Sequence, residues 1–274
     1  MNRRQLTLLG LFVSACLFTQ PASAARYDLQ LGNFFNATCN ATCAQQNFED
    51  LMRELGLATG PVFLAPAETL GLNGFSFAFE GSIVPIHNDR DYWTLATEGN
   101  PGGVLFIPHL HVRKGLPFSF EIGAQLSYVP ESEIFIVGAE LKWALNEGFY
   151  YIPDLAIRFS INHAVGSKDF ELSTGGWDVS LSHAFGIGGM LSLTPYAGYN
   201  MLFVHASSHV VIASPTFTTP MDQMVFNEVN WQDNMFHRFF VGCRLTTYIF
   251  QITVEGIFSD NSIHMFNFKL GFDY

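Results

Sequence analysis

From residue 73 to the end of the chain, apolar and polar side chains alternate with a period of two, and helical periodicity is largely absent. The first run sets Phe75, Phe77, Phe79 and Ile83 against Ser76, Glu80 and Ser82. A second, over 104–113, sets Val104, Phe106, Leu110 and Val112 against His109, His111 and Arg113. The third is the most regular: Phe118, Phe120, Ile122, Ala124, Leu126 and Tyr128 oppose Ser119, Glu121, Gln125 and Ser127. Phe135, Val137, Ala139, Leu141 and Trp143 then oppose Glu140 and Lys142, and Leu155, Ile157, Phe159 and Ile161 oppose Arg158, Ser160 and Asn162. Trp177, Val179 and Leu181 oppose Asp178, Ser180 and Ser182. Two noisier runs follow: 191–204 is interrupted by Pro195, and in 235–245 Phe236 and Phe240 share the parity of Arg238 and Arg244. Ile252, Val254 and Phe258 face away from Gln251, Thr253 and Glu255, and the chain ends with Phe266, Phe268, Leu270, Phe272 and Tyr274 against Asn267, Lys269 and Asp273.

These runs predict about ten strands, with eight or twelve as the neighbouring even counts, each long enough to cross a bilayer when tilted. The connections divide into two sets. Those at 114–116, 186–189 and 248–250 are short, and those at 87–103 and 207–233 are long, the asymmetry expected of periplasmic turns and outer loops. Tight turns near Pro130-Glu131 and Asp260-Asn261 depart from it.

Composition separates a membrane barrel from a soluble one. Apolar residues make up 49% of the chain, with 28 Phe, and only 14% of residues are charged. A soluble β-sandwich or lipocalin-like barrel points its apolar face inward and carries many charges outward, so the low charge favours the opposite arrangement. The expected fold is all-β, a single antiparallel transmembrane β-barrel with a short N-terminal helix.

Ahead of the alternating region, Arg3 and Arg4 precede an apolar run over 6–18 and the small residues Ala22-Ser23-Ala24. This reads as a cleaved export signal, too short for the roughly 20 residues of a spanning helix. A competing reading takes Val13-Ser14-Ala15-Cys16 as a lipoprotein box. Removal of the signal takes the net charge from −11 to about −13, which disfavours nucleic acid as a partner. The expected organisation is therefore a signal at 1–24, a periplasmic or plug segment at 25–72 and the barrel at 73–274. Within the middle segment, Thr42 and Gln45 stand at capping-box spacing before the Phe48, Leu51, Met52, Leu55 stripe and Gly56, predicting a short amphipathic helix. Its simplest role is to cover an open end. Cys39 and Cys43 suit a small disulfide in an oxidising compartment, Cys243 stands alone, and no histidine near the pair completes a metal site.

The last strand, Phe266-Asn267-Phe268-Lys269-Leu270-Gly271-Phe272-Asp273-Tyr274, resembles the C-terminal assembly signal of bacterial outer-membrane β-barrel proteins, with alternating aromatics and a final aromatic residue. The resemblance covers 73–274. It implies insertion into the cell outer membrane by the barrel-assembly machinery, contact with lipid and lipopolysaccharide, and closure between the first and last strands. No cofactor is implied, and oligomeric state is open.

With the apolar face toward lipid, the lumen gathers Glu80, His109, His111, Arg113, Glu121, Glu140, Lys142, Arg158, Asp178, Arg238, Arg244, Glu255 and Lys269. Such a set either fills a narrow barrel with ion pairs or forms a selective constriction. The sequence thus favours a small-solute pore or transporter with a narrow charged lumen. Alternatives are a surface-interaction barrel acting through outer loops rich in Tyr92, Trp93, Phe217, Met221, Met224 and Trp231, and a hydrolase. For the hydrolase, His205 and His209 bracket Ser207 and Ser208, and Asp89 and Asp91 with Asp233 and His237 loosely resemble the paired acids of the omptin proteases, without their Asp-Xaa-His.

Overall fold

The computed structural model describes residues 27–35, 39–97, 101–213, 223–260 and 263–274. The expected signal peptide and Phe217, Met221 and the side chain of Met224 lie outside the described residues.

Ten long strands form the wall: β1 Phe75–Pro85, β2 Val104–Leu116, β3 Phe120–Tyr128, β4 Phe135–Asn146, β5 Asp154–Val165, β6 Phe170–Ser182, β7 Leu191–Ser208, β8 Met235–Thr247, β9 Phe250–Ser259 and β10 His264–Asp273. Each pairs antiparallel with its neighbour in the chain, and β1 pairs with β10 from Ser76↔Asp273 to Ile83↔Phe266, closing the ring. A short strand, Phe185–Ile187, adds to the start of β7, and Val211–Ala213 pairs with Gln223–Val225.

Alternation sorts the two faces as the pattern requires. In β1 the phenylalanines point out and Ser76, Glu80 and Ser82 point in, and β4 repeats this with Phe135, Val137, Leu141 and Trp143 outside and Glu140 and Lys142 inside. In water such a belt of exposed Phe, Leu, Ile, Val and Trp would be unfavourable at about 25 cal/mol per Å². In a bilayer it is the surface that lipid covers.

Three local expectations are corrected. Residues 114–116 belong to β2; the turn is made by Pro117, Phe118 and Ser119, with Phe118 and Ser119 at positive φ, so Phe118 leaves the strand's apolar face and is exposed. The strand β7 runs to Ser208, so His205 and Ser207 belong to the wall and not to a loop. It tolerates Pro195 because that residue's carbonyl accepts from the His183 N–H, so its missing N–H faces the place where the β6 ladder has just ended at Ser182.

Residue 75 and Tyr274 share one end of the barrel, here the near end, with the connections 117–119, 147–153, 183–190 and 248–249. The far end carries 86–103, 129–134, 166–169, 209–234 and 260–263. The helix α1, Ala41–Thr59, sits at the far end, packed on β6, β7 and a short helix α2, Asp91–Ala96. It starts two residues earlier than the capping-box spacing predicts a cap: Asn40 is the cap, its side chain accepting from the Cys43 N–H at 3.0 Å, and Thr42 lies inside the first turn. The helix also runs past Gly56, ending at Gly60-Pro61, where proline disfavours helical backbone in the residue before it. Gly56 is a packing residue instead: a Cβ there would come within 2.5 Å of Val204 Cγ1 on the wall.

Candidate functional site: an occupied lumen and its cap

Inward-pointing side chains set the lumen's chemistry. All thirteen residues predicted for it are buried. Arg113 and Lys142 each lie 3.0 Å from Glu121 Oε1. Arg158 reaches Asp178 at 2.8 Å and Glu140 at 3.3 Å. The His111 ring bridges Glu80 at 2.8 Å and Glu140 at 3.0 Å, and Lys269 lies 3.5 Å from Glu80. Tyr196 donates to Glu255 at 2.9 Å, and Arg244 pairs with Glu68. Charges removed from water need such partners to offset desolvation.

Wall-to-wall pairing is only half of the arrangement. The segment after α1 passes down the lumen in extended form, and its main-chain oxygens take up further donors of the wall. Arg238 donates to Pro61 O at 2.9 Å, Gln125 to Val62 O at 2.8 Å, Arg158 to Phe63 O at 2.5 Å and Lys269 to Leu64 O at 2.8 Å. Lys142 serves two, Pro66 O at 3.3 Å and Glu68 O at 2.9 Å. Pro61 and Pro66 carry no N–H, which reduces the donors the segment must satisfy. Of those it has, Ala67 N–H reaches Ser182, Thr69 N–H reaches Glu147 and Leu70 N–H reaches Glu121. At the near end the Gly71 carbonyl lies so close to Gly115 that a side chain there would overlap it.

At the far end α1 turns Phe48, Leu51, Met52 and Leu55 into an apolar cluster with Leu202, Val204, Phe236 and Phe226, whose ring stacks on Phe48 at 4.8 Å. This explains why Phe236 shares the parity of the charged residues: the upper lumen is lined for a helix. The segment expected to plug the lumen or cover an open end thus supplies a helix at the far end and an extended stretch inside the wall. Cys39 and Cys43 are disulfide-bonded beside the helix cap. Trp93 and Tyr92, expected as apolar contact residues of an outer loop, face inward: Trp93 is buried against Tyr27, and Tyr92 donates to the buried carboxylate of Glu54 at 2.5 Å. Burial and that carboxylate push the Tyr92 hydroxyl's pKa well up. A polar cleft of about 550 Å³ lies beside it, lined by Asp50, Arg53, Glu54, Arg90, Asp233 and Phe236 among others.

The enzymatic constellations are not assembled. His237 points outward to the Tyr199 hydroxyl at 2.6 Å while Asp233 lines the cleft, and Asp89 and Asp91 do not line it. His205 stacks on Trp231, Ser208 bonds to the Asp169 carbonyl, and His209 faces Glu171 at 3.5 Å. His109 lies between Ser82 and Ser127, and among the described residues no group of three or more His, Cys, Asp or Glu side chains is placed to hold a metal ion. The sequence reading missed the threaded strand; its trace was the lumen's excess of cations and amides over carboxylates, which called for further acceptors.

A closed antiparallel ring with an apolar exterior and a polar interior defines a transmembrane β-barrel. The sequence matches no protein-family model and no curated protein. Among solved structures the chain is similar to the KdgM porin, at 7% identity over 72% of this chain and 98% of that one, TM-score 0.34. It is also similar to an outer membrane channel from Pseudomonas putida F1, at 9% over 78% and 100%, TM-score 0.36. A third is Ail, the attachment invasion locus protein of Yersinia pestis, at 10% over 74% and 99%, TM-score 0.28. The likeness is one of fold alone.

Proposed function

We propose that this chain is an outer-membrane β-barrel held closed by its own N-terminal segment, acting at the envelope surface through the cap at its far end. The longest connections, 86–103 and 209–234, lie at the far end and the shortest turns, 117–119 and 248–249, at the near end, which supports a periplasmic near end and an outer far end. Its partners are lipid and lipopolysaccharide around the belt, and the barrel-assembly machinery, to which the last strand with Phe266, Phe268, Leu270, Gly271, Phe272 and Tyr274 is addressed.

The observation that carries the closed reading is the run of wall donors spent on main-chain oxygens from Pro61 to Glu68. A standing pore would instead offer Arg158, Lys142 and Lys269 to passing solutes. The test combines two measurements on the full chain. Heat-modifiable gel migration from purified outer membranes reports the folded barrel; recovery in the soluble fraction with no shift would remove the membrane reading. Planar-bilayer recordings of the same folded protein should be silent. Stepwise conductance from the folded wild type would restore the small-solute pore.

A further inference from the structure

The path of the N-terminal segment relates the two ends of the barrel. Residue 75 is fixed at the near end, where its N–H bonds to the Tyr274 carbonyl at 2.7 Å. Tyr27 is fixed at the far end, where its N–H bonds to the Glu131 carbonyl at 2.9 Å in the β3–β4 connection, and Leu31 N–H reaches Asp169 in the β5–β6 connection at 3.0 Å. After α1 the chain runs inside the wall from Pro61 to Leu70. Residues 60–71 reach roughly 40 Å when extended, enough to pass the roughly 25 Å apolar band of such a barrel. No route outside the wall exists for this segment, because unpaired backbone groups in hydrocarbon each cost several kcal/mol.

We infer a further activity of this barrel: it is a conduit for one polypeptide, its own N-terminal segment, which crosses the membrane through the lumen and is displayed on the cell surface. The inference rests on the orientation proposed above, with the far end outside.

The chemistry of the lumen suits a passing chain better than a fixed ligand. Arg238, Gln125, Arg158, Lys269 and Lys142 all grip carbonyl oxygens, which every residue carries, and Arg158 in addition meets the ring of Phe63. A segment displaced along the lumen meets the same donors with other carbonyls. The threaded stretch is a single extended chain whose largest side chain is Phe63, with the small residues Gly60, Ala65 and Ala67 beside it, and it is pre-extended by Pro61 and Pro66. The wider element, α1, lies only beyond it, in the upper lumen and mouth where Leu202, Val204 and Phe236 replace charged residues. An α-helix with side chains is about 10–12 Å across, so α1 forms where the wall is lined for it once the chain has reached the far end.

The test is site-directed labelling of intact cells with a membrane-impermeant maleimide, in the full-length chain carrying Cys243→Ser; Cys39 and Cys43 are bonded and do not react without reductant. Asp28→Cys and Asn33→Cys report the N-terminal segment, Glu228→Cys the long far-end connection and Tyr150→Cys a near-end turn; all four positions are exposed. Heat-modifiable migration checks that each variant has folded. Full labelling of residues 28, 33 and 228 in intact cells, with residue 150 reacting only after lysis, supports the conduit. Labelling of 228 in intact cells while 28 and 33 react only after lysis overturns it and leaves the orientation standing. Labelling of 150 in intact cells with 228 reacting only after lysis reverses the orientation and overturns both.

Discussion

Arg158 and Phe63 are joined twice: the guanidinium lies over the phenyl ring, 5.7 Å from its centroid, and donates to the same residue's carbonyl at 2.5 Å. The barrel wall thereby holds the threaded strand through a residue that also neutralises Asp178 and Glu140. Arg158→Ala leaves two buried carboxylates short of a partner and should cost about 3–5 kcal/mol. The expected outcome is a lower temperature for the gel-mobility transition. An unchanged transition would mean that the lumen admits water to those carboxylates.

Gly56 predicts a steric coupling between cap and wall. Gly56→Ala places a methyl against the stiff Val204 side chain and should loosen the cap by about 1–2 kcal/mol despite alanine's better helix propensity. Limited proteolysis at the far end reads this out. The double variant with Val204→Ala should recover most of the loss; failure to recover would place the effect elsewhere than in this contact.

The Cys39–Cys43 bond closes a small loop beside the cap of α1. On a chain-entropy estimate, Cys39→Ser with Cys43→Ser should lower cap stability by about 2 kcal/mol. Reductant should do the same to the wild type and nothing to the double variant. Hydrogen exchange should localise the change to α1 and its contacts, with the wall strands unaffected.

Acid should tighten the cap through Asp50. Burial outweighs the attraction of Arg53 and holds this carboxyl above its ordinary value. The folded cap therefore binds that proton more tightly than the unfolded chain, so this contribution to stability is poorest above the folded pKa and improves as pH falls through it. Proteolytic protection of α1, followed from about pH 7 to about pH 4, should rise more steeply in the wild type than in Asp50→Asn. Parallel profiles would exclude Asp50 as the source.

The wall was legible in the sequence because its code is local. Phe75 to Ile83, or Phe120 to Tyr128, declare both faces within one strand, and alternation placed every charged lumen residue inside. The turn at Phe118 was not legible, since its period-two phase agrees with the strand until the backbone turns left-handed. The cap was half legible: the stripe from Phe48 to Leu55 announced a helix, but its partner surface, Leu202 and Val204, lies about 150 residues away in a strand whose pattern looked noisy. The threaded strand has no period at all. An extended chain surrounded on all sides obeys neither a helical nor a half-buried rule, so although 25–72 is expected as a periplasmic or plug segment, nothing in Pro61 to Leu70 singled it out as the stretch that fills the lumen. What remained visible was the excess of donors on the wall.

Nine of the ten wall pairings join strands adjacent in sequence, and the tenth joins β1 to β10 at the two ends of the barrel region. Hairpin-by-hairpin growth therefore incurs little loop-closure entropy until the last step, which brings together residues as distant as Ser76 and Asp273. Before that step the sheet is an open trough with two unpaired edges. After it, whatever lies inside can move only along the barrel axis, toward one mouth or the other. The pairing of the most sequence-distant strands thus turns an open trough into a passage with a single direction of travel.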